Sequence, residues 1–281
     1  MGLRINTNVS SLNAQRNLGK TRLAQQKTLE QLSSGQRINR AGDDAAGLAI
    51  SENLKAQIRG LGQAERNTQD GISLVQIAEG GLSEVSSILI RLRELAVQAA
   101  SDTIGATERK FLNVEFEQLV AETDRIANST EFNRVPLLNG TGAVFDIQIG
   151  TRNDPLSDRL TFDASSADVN VAALGLNLAS VADKISSQNS LASIDQAIVS
   201  VSGIRADFGA LQNRLQSTAN NIQVSIENLS AANSRVRDAD IASATAELTK
   251  NNILMQAGTS VLAQANQSST SALTLIQSAS S

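Results

Sequence analysis

An acid–base pair or a metal site in this chain would have to be built from carboxylates, and the candidate pairs are Asp43 with Asp44 and Asp238 with Asp240. Close carboxylates can share a proton or hold a divalent cation, but either use needs supporting groups. The chain has no His and no Cys. The usual general base, the usual nitrogen ligand, a thiolate nucleophile, a disulfide and Cys-bound zinc are therefore all missing. No pocket motif accompanies either pair. Both fall where a polar connection meets a helix, and a carboxylate there commonly accepts from orphan N–H groups as a cap, as Asp43 is expected to do for the helix that follows it. The reading is a protein that is not an enzyme and carries no cofactor or metal, so its function should lie in association.

The elements that would carry such a function are written in heptads. From Ile194 onward an apolar residue recurs every seven positions through Val201, Phe208, Leu215, Ile222, Leu229 and Val236. A second column, Ala197, Ile204, Leu211, Thr218, Ser225, Ala232 and Ala239, follows three residues behind, which is the a/d seam of a coiled coil. An earlier segment repeats the plan with Leu54, Leu61, Thr68, Val75, Leu82, Leu89 and Ala96, joined by Ala64, Gly71, Ala78, Val85, Leu92 and Ala99. Two seams of about 45 residues at about 1.5 Å per residue make helices about 65 Å long, and each needs the other to bury its stripe. Leu215, Ile222, Leu229 and Val236 are expected to hold this rod together.

Composition agrees. Only 2% of the 281 residues are aromatic, with no Trp or Tyr, which argues against a compact globular core of that size. The two Pro, Pro136 and Pro155, both fall in the central third, where the heptads stop. Net charge is −4. The first 60 residues hold nine Lys or Arg against four Asp or Glu, but no aromatic residue interleaves them, so a nucleic-acid partner is not indicated. Asn251 to Ser281 carries no charge at all. Leu254, Val261, Ser268 and Leu275 fall seven apart there, so the tail reads as an amphipathic strip, disordered alone and helical when packed, with Leu254, Val261 and Leu275 as its packing residues. No stretch has the roughly 20 apolar residues of a membrane span, and the N-terminus lacks the apolar core of a cleavable secretory signal.

Along the chain, helices are expected over about Asn8–Ser33, from Asp43 to about Ser101, and over about Thr107–Asn128. The breaker Ser33-Ser34-Gly35 should end the first of them. Gly60, Gly62, Gly71, Gly80 and Gly81 fall inside the second, each at a cost of about 1 kcal/mol, which close packing between helices is expected to offset. Between Phe132 and Ser190 the period changes from seven to two. Ala143–Gly150 and Arg159–Asp163 alternate apolar and polar around Asn153-Asp154-Pro155, which predicts a β-hairpin. The expected fold is mainly α, a long antiparallel helical rod or coiled-coil bundle formed by the N- and C-terminal halves, with the hairpin module in the centre of the sequence and near the end of the rod farthest from the termini.

Specific motifs now carry a resemblance. The run from Leu32-Ser-Ser-Gly-Gln-Arg-Ile-Asn-Arg-Ala-Gly-Asp-Asp-Ala-Ala-Gly to Ile50, the segments Gln63–Ser73 and Arg91–Gln98, and Gln256–Asn266 resemble bacterial flagellin, the subunit of the flagellar filament. The likeness covers about residues 1–138 and 190–276, and it implies a short form with a minimal outer domain. It divides the chain into an N-terminal inner-tube helix and connector (1–43), the N-terminal half of a rod domain (44–131), a hairpin module in place of variable outer domains (132–190), the C-terminal half of the rod (191–240) and a C-terminal inner-tube helix (241–281). The last residues are longer and more polar than the family's usual ending.

The resemblance further implies export, unfolded, through the flagellar type III apparatus, terminal segments that order only in the filament, and an extracellular location on the flagellum. Implied partners are further copies of the chain in a helical filament, the flagellar cap and hook-filament junction proteins, a flagellin export chaperone and, in animal hosts, toll-like receptor 5. The receptor surface carried over from the family falls on Arg91, Leu95 and Glu115. Positions 91 and 95 are four apart and are expected to share an exposed face. The alternatives are a hook-filament junction protein of the same helical plan and an intracellular coiled-coil adaptor.

Overall fold

The computed structural model describes residues 7–279, of which 269, 270 and 272–279 are described as backbone only. Five helices dominate: α1 (Val9–Ser34), α2 (Ala45–Ala99), α3 (Ala106–Ser129), α4 (Lys184–Arg237) and α5 (Ile241–Ala279). Two small antiparallel hairpins lie between α3 and α4: β1 (Glu131–Phe132) with β2 (Val135–Pro136), and β3 (Val144–Gln148) with β4 (Arg159–Asp163). The chain divides into two compact units. One is formed by residues up to 56 and from 228 onward, the other by residues 57–227.

The helix ends follow local chemistry. Asn8 caps α1, its side chain accepting from the Ser11 N–H at 3.0 Å. Gly35 closes the same helix in the left-handed region at φ 68°, a conformation that costs glycine nothing. At the start of α2 the expected cap is displaced by one residue. Asp44 accepts from the Gly47 N–H at 2.9 Å, while Asp43 turns back to the N–H groups of Asn39 and Arg40 and to Lys27.

The unit of residues 57–227 holds the hydrophobic core. Lys184 pairs with Asp102, Asp195 with Arg93, and Gln223 with Glu65, so α4 runs antiparallel to α2. The middle of the predicted columns is buried: Val75, Leu82, Leu89 and Ala96 join Ile194, Val201, Phe208 and Leu215 in one continuous cluster, while Leu54, Leu61, Ile204 and Leu211 are half-buried. Burial runs out along α4, for Ile222 is still buried but Leu229 and Val236 are half-exposed. Phe116 and Ala127 bring α3 into the same core.

The larger hairpin is not at the far end of this unit. Asn67 donates to the Gln148 carbonyl at 3.0 Å, and the Phe162 ring meets Phe208 edge-on at 5.2 Å, so the hairpin lies on the flank of α2 and α4, well away from the turn at Ala99–Asp102. Glycines within α2 make room for it. A Cβ at Gly71 would sit 2.6 Å from Ile147 Cδ1, and one at Gly81 would sit 2.8 Å from Leu138 Cδ1. The cost of these helical glycines is thus offset by the β-module and its approach, where the heptads alone suggested a neighbouring helix. The smaller hairpin has a two-residue turn, with Asn133 and Arg134 both at positive φ, as a type I′ turn requires. Without the usual Asn-Gly signal it is not legible in the sequence.

Candidate interaction surfaces

In the unit containing the chain ends, α1 and α5 form an antiparallel pair. Asn8 donates to the Ala265 carbonyl at 2.8 Å, Ser11 to Asn266 at 2.9 Å and Gln25 to Asn252 at 2.6 Å, and Leu18 packs where Gly258 leaves space. The pair buries Ser11, Ala14 and Thr28 of α1 with Ala244 and Asn251 of α5. These are small or polar residues. The large apolar ones are outside. Val9, Leu12 and Leu23 lie on the side of α1 away from α5, with Leu23 69% exposed. On α5, Ile253, Leu254 and Val261 are exposed as well, Val261 at 59%. The side chain of Leu275, the third expected packing residue, lies outside the described residues.

The two outward faces differ in charge. Arg16, Lys20 and Lys27 share the outer side of α1 with its apolar residues. Beyond Lys250, α5 has no charged residue. The apolar spacing of α1 is irregular because its residues serve two sides of the helix. That irregularity was the available signal for Val9, Leu12 and Leu23.

The connector between α1 and α2 is tied to the end of α4. Gln36 and Asp238 form an antiparallel bridge, the Arg37 N–H donates to the Arg237 carbonyl at 2.7 Å, and the Ala239 N–H donates to the Gly35 carbonyl at 2.9 Å. Here the candidate carboxylate pairs acquire structural roles. Asp43 takes Lys27 at 2.7 Å, and that hydrogen bond, helped by the Arg40 N–H, holds its carboxyl below the usual carboxylate range. Asp240 caps α5 through the N–H groups of Ala242 and Ser243. Among the described residues no group of three or more His, Cys, Asp or Glu could hold a metal ion.

On the other unit, Arg91 and Glu115 meet across α2 and α3. The guanidinium reaches Glu115 at 2.7 Å and Glu94 at 3.0 Å, and Glu115 first, then Glu94, raises the Arg91 pKa. Leu95 does not share this surface. It is fully buried, because the residue four positions after Arg91 has rotated into the stripe that contains Leu92, Ala96 and Ala99. Exposed apolar residues nearby are Ile90, Val114 and Phe111, the last one turn before Glu115 on the same side of α3 and 71% exposed. Phe111 stands outside the heptad columns, so periodicity carries no signal for it.

Comparison with known proteins identifies the family. Residues 5–143 match the bacterial flagellin N-terminal helical region, and residues 191–276 match the bacterial flagellin C-terminal helical region. The chain is 47% identical to a flagellin of Halalkalibacterium halodurans, an alignment covering 97% of this chain and 99% of the relative. It is 45% identical to a flagellin of Bacillus subtilis, over 98% and 100% of the two chains, and 44% identical to the flagellar filament 33 kDa core protein of Treponema phagedenis, over 97% and 99%. The crystal structure of Bacillus cereus flagellin superposes with a TM-score of 0.50 at 34% identity, covering 60% of this chain and 94% of that one.

Proposed function

The chain belongs to the bacterial flagellin family and is a structural subunit of the flagellar filament, the organelle of motility, and from that premise we propose that it polymerises through the outward faces of its α1–α5 pair. One observation supports this most directly. The pair buries serine, threonine, asparagine and alanine and leaves valine, leucine and isoleucine in water, which is the reverse of a self-sufficient helix pair and marks a surface awaiting a partner. Two unlike faces, one basic and apolar and the other uncharged, favour heterologous contacts, and such contacts build an open helical polymer when the rotation does not close. Helices that approach closely but bury no large apolar side chain between them are marginal alone, so neighbours supply what orders them.

In this reading residues 1–43 and 241–281 form the inner tube, with Leu254, Val261 and Leu275 packed among neighbouring copies. Residues 44–131 and 191–240 are the rod halves of an outer tube, and 132–190 stand in for outer domains. The subunit is secreted to the extracellular flagellum by type III export with the help of an export chaperone, and the filament ends on the hook-filament junction and cap proteins. Deleting Asn251–Ser281 tests the assignment. The truncated chain should remain a soluble, folded rod that fails to elongate seeds under the electron microscope. Normal filaments from it would refute the proposal.

Recognition by toll-like receptor 5 would be a host's use of the Arg91–Glu115 surface. Its support is that both side chains are exposed and preorganised by their ion pair; Leu95 would contribute only by holding the helix in place. Truncating a central interface Arg often costs about 2 kcal/mol or more. Arg91→Ala monomer should therefore bind the receptor at least about tenfold more weakly than wild type, and equal binding would remove the site from this chain.

A further inference from the structure

Oxidative chemistry in this chain converges on one side chain. With no Cys, Trp, Tyr or His, the residues that common oxidants attack are reduced to two methionines, Met1 and Met255. Met255 stands on the stripe of α5 that faces α1. Leu248, Met255 and Leu262 fall seven apart on it and are half-buried, with Asn251 and Gly258 between them, while the residues to either side are exposed. The residues across the pair fix its place. Asn252 accepts from Gln25, and Leu18 fills the space that Gly258 leaves, so Met255 comes opposite the half-buried Thr21. The Thr21 hydroxyl already donates to the Asn17 carbonyl at 3.0 Å. It has no hydrogen left for a new acceptor.

We propose that Met255 is an oxidation site that gates assembly: its sulfoxide keeps an unassembled chain out of the filament, and a chain already in place is shielded. Hydrogen peroxide supplies the oxygen atom. Its O–O bond breaks, an S–O bond forms at Met255 Sδ, sulfur gives up two electrons and the peroxide leaves as water. The product carries a polar S–O group where an adaptable apolar thioether packed. In the α1–α5 seam that oxygen lies between Leu248 and Leu262 and opposite a hydroxyl already engaged, so burying it opposes pairing. Before assembly the thioether is open to the oxidant. In the filament, α1 and neighbouring copies cover it. This gating rests on the assembly reading given above, in which α5 is ordered by its neighbours.

The experiment treats full-length monomer with dilute hydrogen peroxide, follows the gain of one oxygen on the Met255 peptide by mass spectrometry, and measures elongation of seeds. Oxidised wild type should elongate at least about tenfold more slowly than untreated wild type, the effect of one buried polar group without a partner. Methionine sulfoxide reductase should restore the rate. Met255→Leu should elongate equally before and after peroxide, and since it keeps Met1 it reports any effect of oxidation there. Peroxide added to finished filaments should oxidise Met255 at least about tenfold more slowly than in monomer, because attack follows exposure. Oxidised wild type that elongates normally, while the chain lacking Asn251–Ser281 does not, would overturn the gating and leave the assembly reading intact. Filaments from that truncation would overturn both. A Met255→Leu chain that peroxide inactivates, or equal oxidation in monomer and filament, would also refute the assignment.

Discussion

The two long-helix contacts in this molecule obey opposite rules. Between α2 and α4 the heptad columns bury Leu82, Leu89, Ile194, Val201 and Leu215 and leave polar residues outside. Between α1 and α5 the buried residues are Ser11, Ala14, Thr28 and Asn251, while Leu12, Leu23, Ile253 and Val261 are exposed. The first contact completes itself. The second leaves its large apolar residues in water, and in the proposed assembly other copies cover them. Under the proposed assembly, stability and polymerisation belong to different helices, and substitutions should separate them.

The largest separation is expected from the core. Phe116→Ala should destabilise the monomer by about 3–5 kcal/mol, and Leu215→Ala by about 2–5 kcal/mol, because each removes a fully buried side chain and leaves a cavity. Leu23→Ala and Val261→Ala should shift monomer stability by no more than about 0.5 kcal/mol, as exposed substitutions do, yet impair elongation of seeds. Denaturant unfolding and seeded growth, measured on the same four proteins, check the contrast. A destabilised Leu23→Ala monomer would dissolve the distinction between the two contacts. Ile222→Ala and Leu229→Ala sharpen it, since the loss should fall from the buried position to the half-exposed one.

A smaller effect separates two glycines of one helix. Gly71→Ala drives a methyl toward Ile147 and should cost about 1–3 kcal/mol by overpacking the hairpin against α2. Gly62 has open space around its Cβ position, so Gly62→Ala should stabilise by up to about 1 kcal/mol through helix propensity. Opposite signs in urea melts are expected. Equal signs would mean that the hairpin does not press on α2.

The smallest effect is electrostatic. The Asp43 carboxyl is held below its ordinary range by Lys27, so in the window between the two pKa values the folded chain binds fewer protons than the unfolded one. The contribution is complete above the unfolded carboxylate value of about 4 and is lost as pH falls through the lowered folded value. Asp43 and Lys27 are exposed at the surface, so the change is local. Acid titration of the Asn39 and Arg40 amide shifts should show a midpoint below that of a free aspartate, and Asp43→Asn should abolish it. A midpoint at the ordinary value would remove the ion pair from the account of the connector.

Much of this architecture was legible in the sequence because periodicity is a local property. Two heptad columns predicted the buried stripe along the middle of α2 and α4, though Leu54, Leu61, Leu229 and Val236 lie half-exposed; Ser33-Ser34-Gly35 predicted the end of α1, and alternation around Asn153-Asp154-Pro155 predicted the larger hairpin. The uncharged tail and the absence of His and Cys pointed to association over catalysis. Tertiary structure decided the rest, since it depends on which surfaces meet. Nothing in the chain's order says that the hairpin returns to Gly71 and Phe208, that Leu95 turns inward beneath Arg91, or that Asp44 and not its neighbour caps α2. A heptad specifies a stripe but not its partner. Only packing distinguished a stripe that the same chain covers, as on α4, from one left in water, as on α1 and α5.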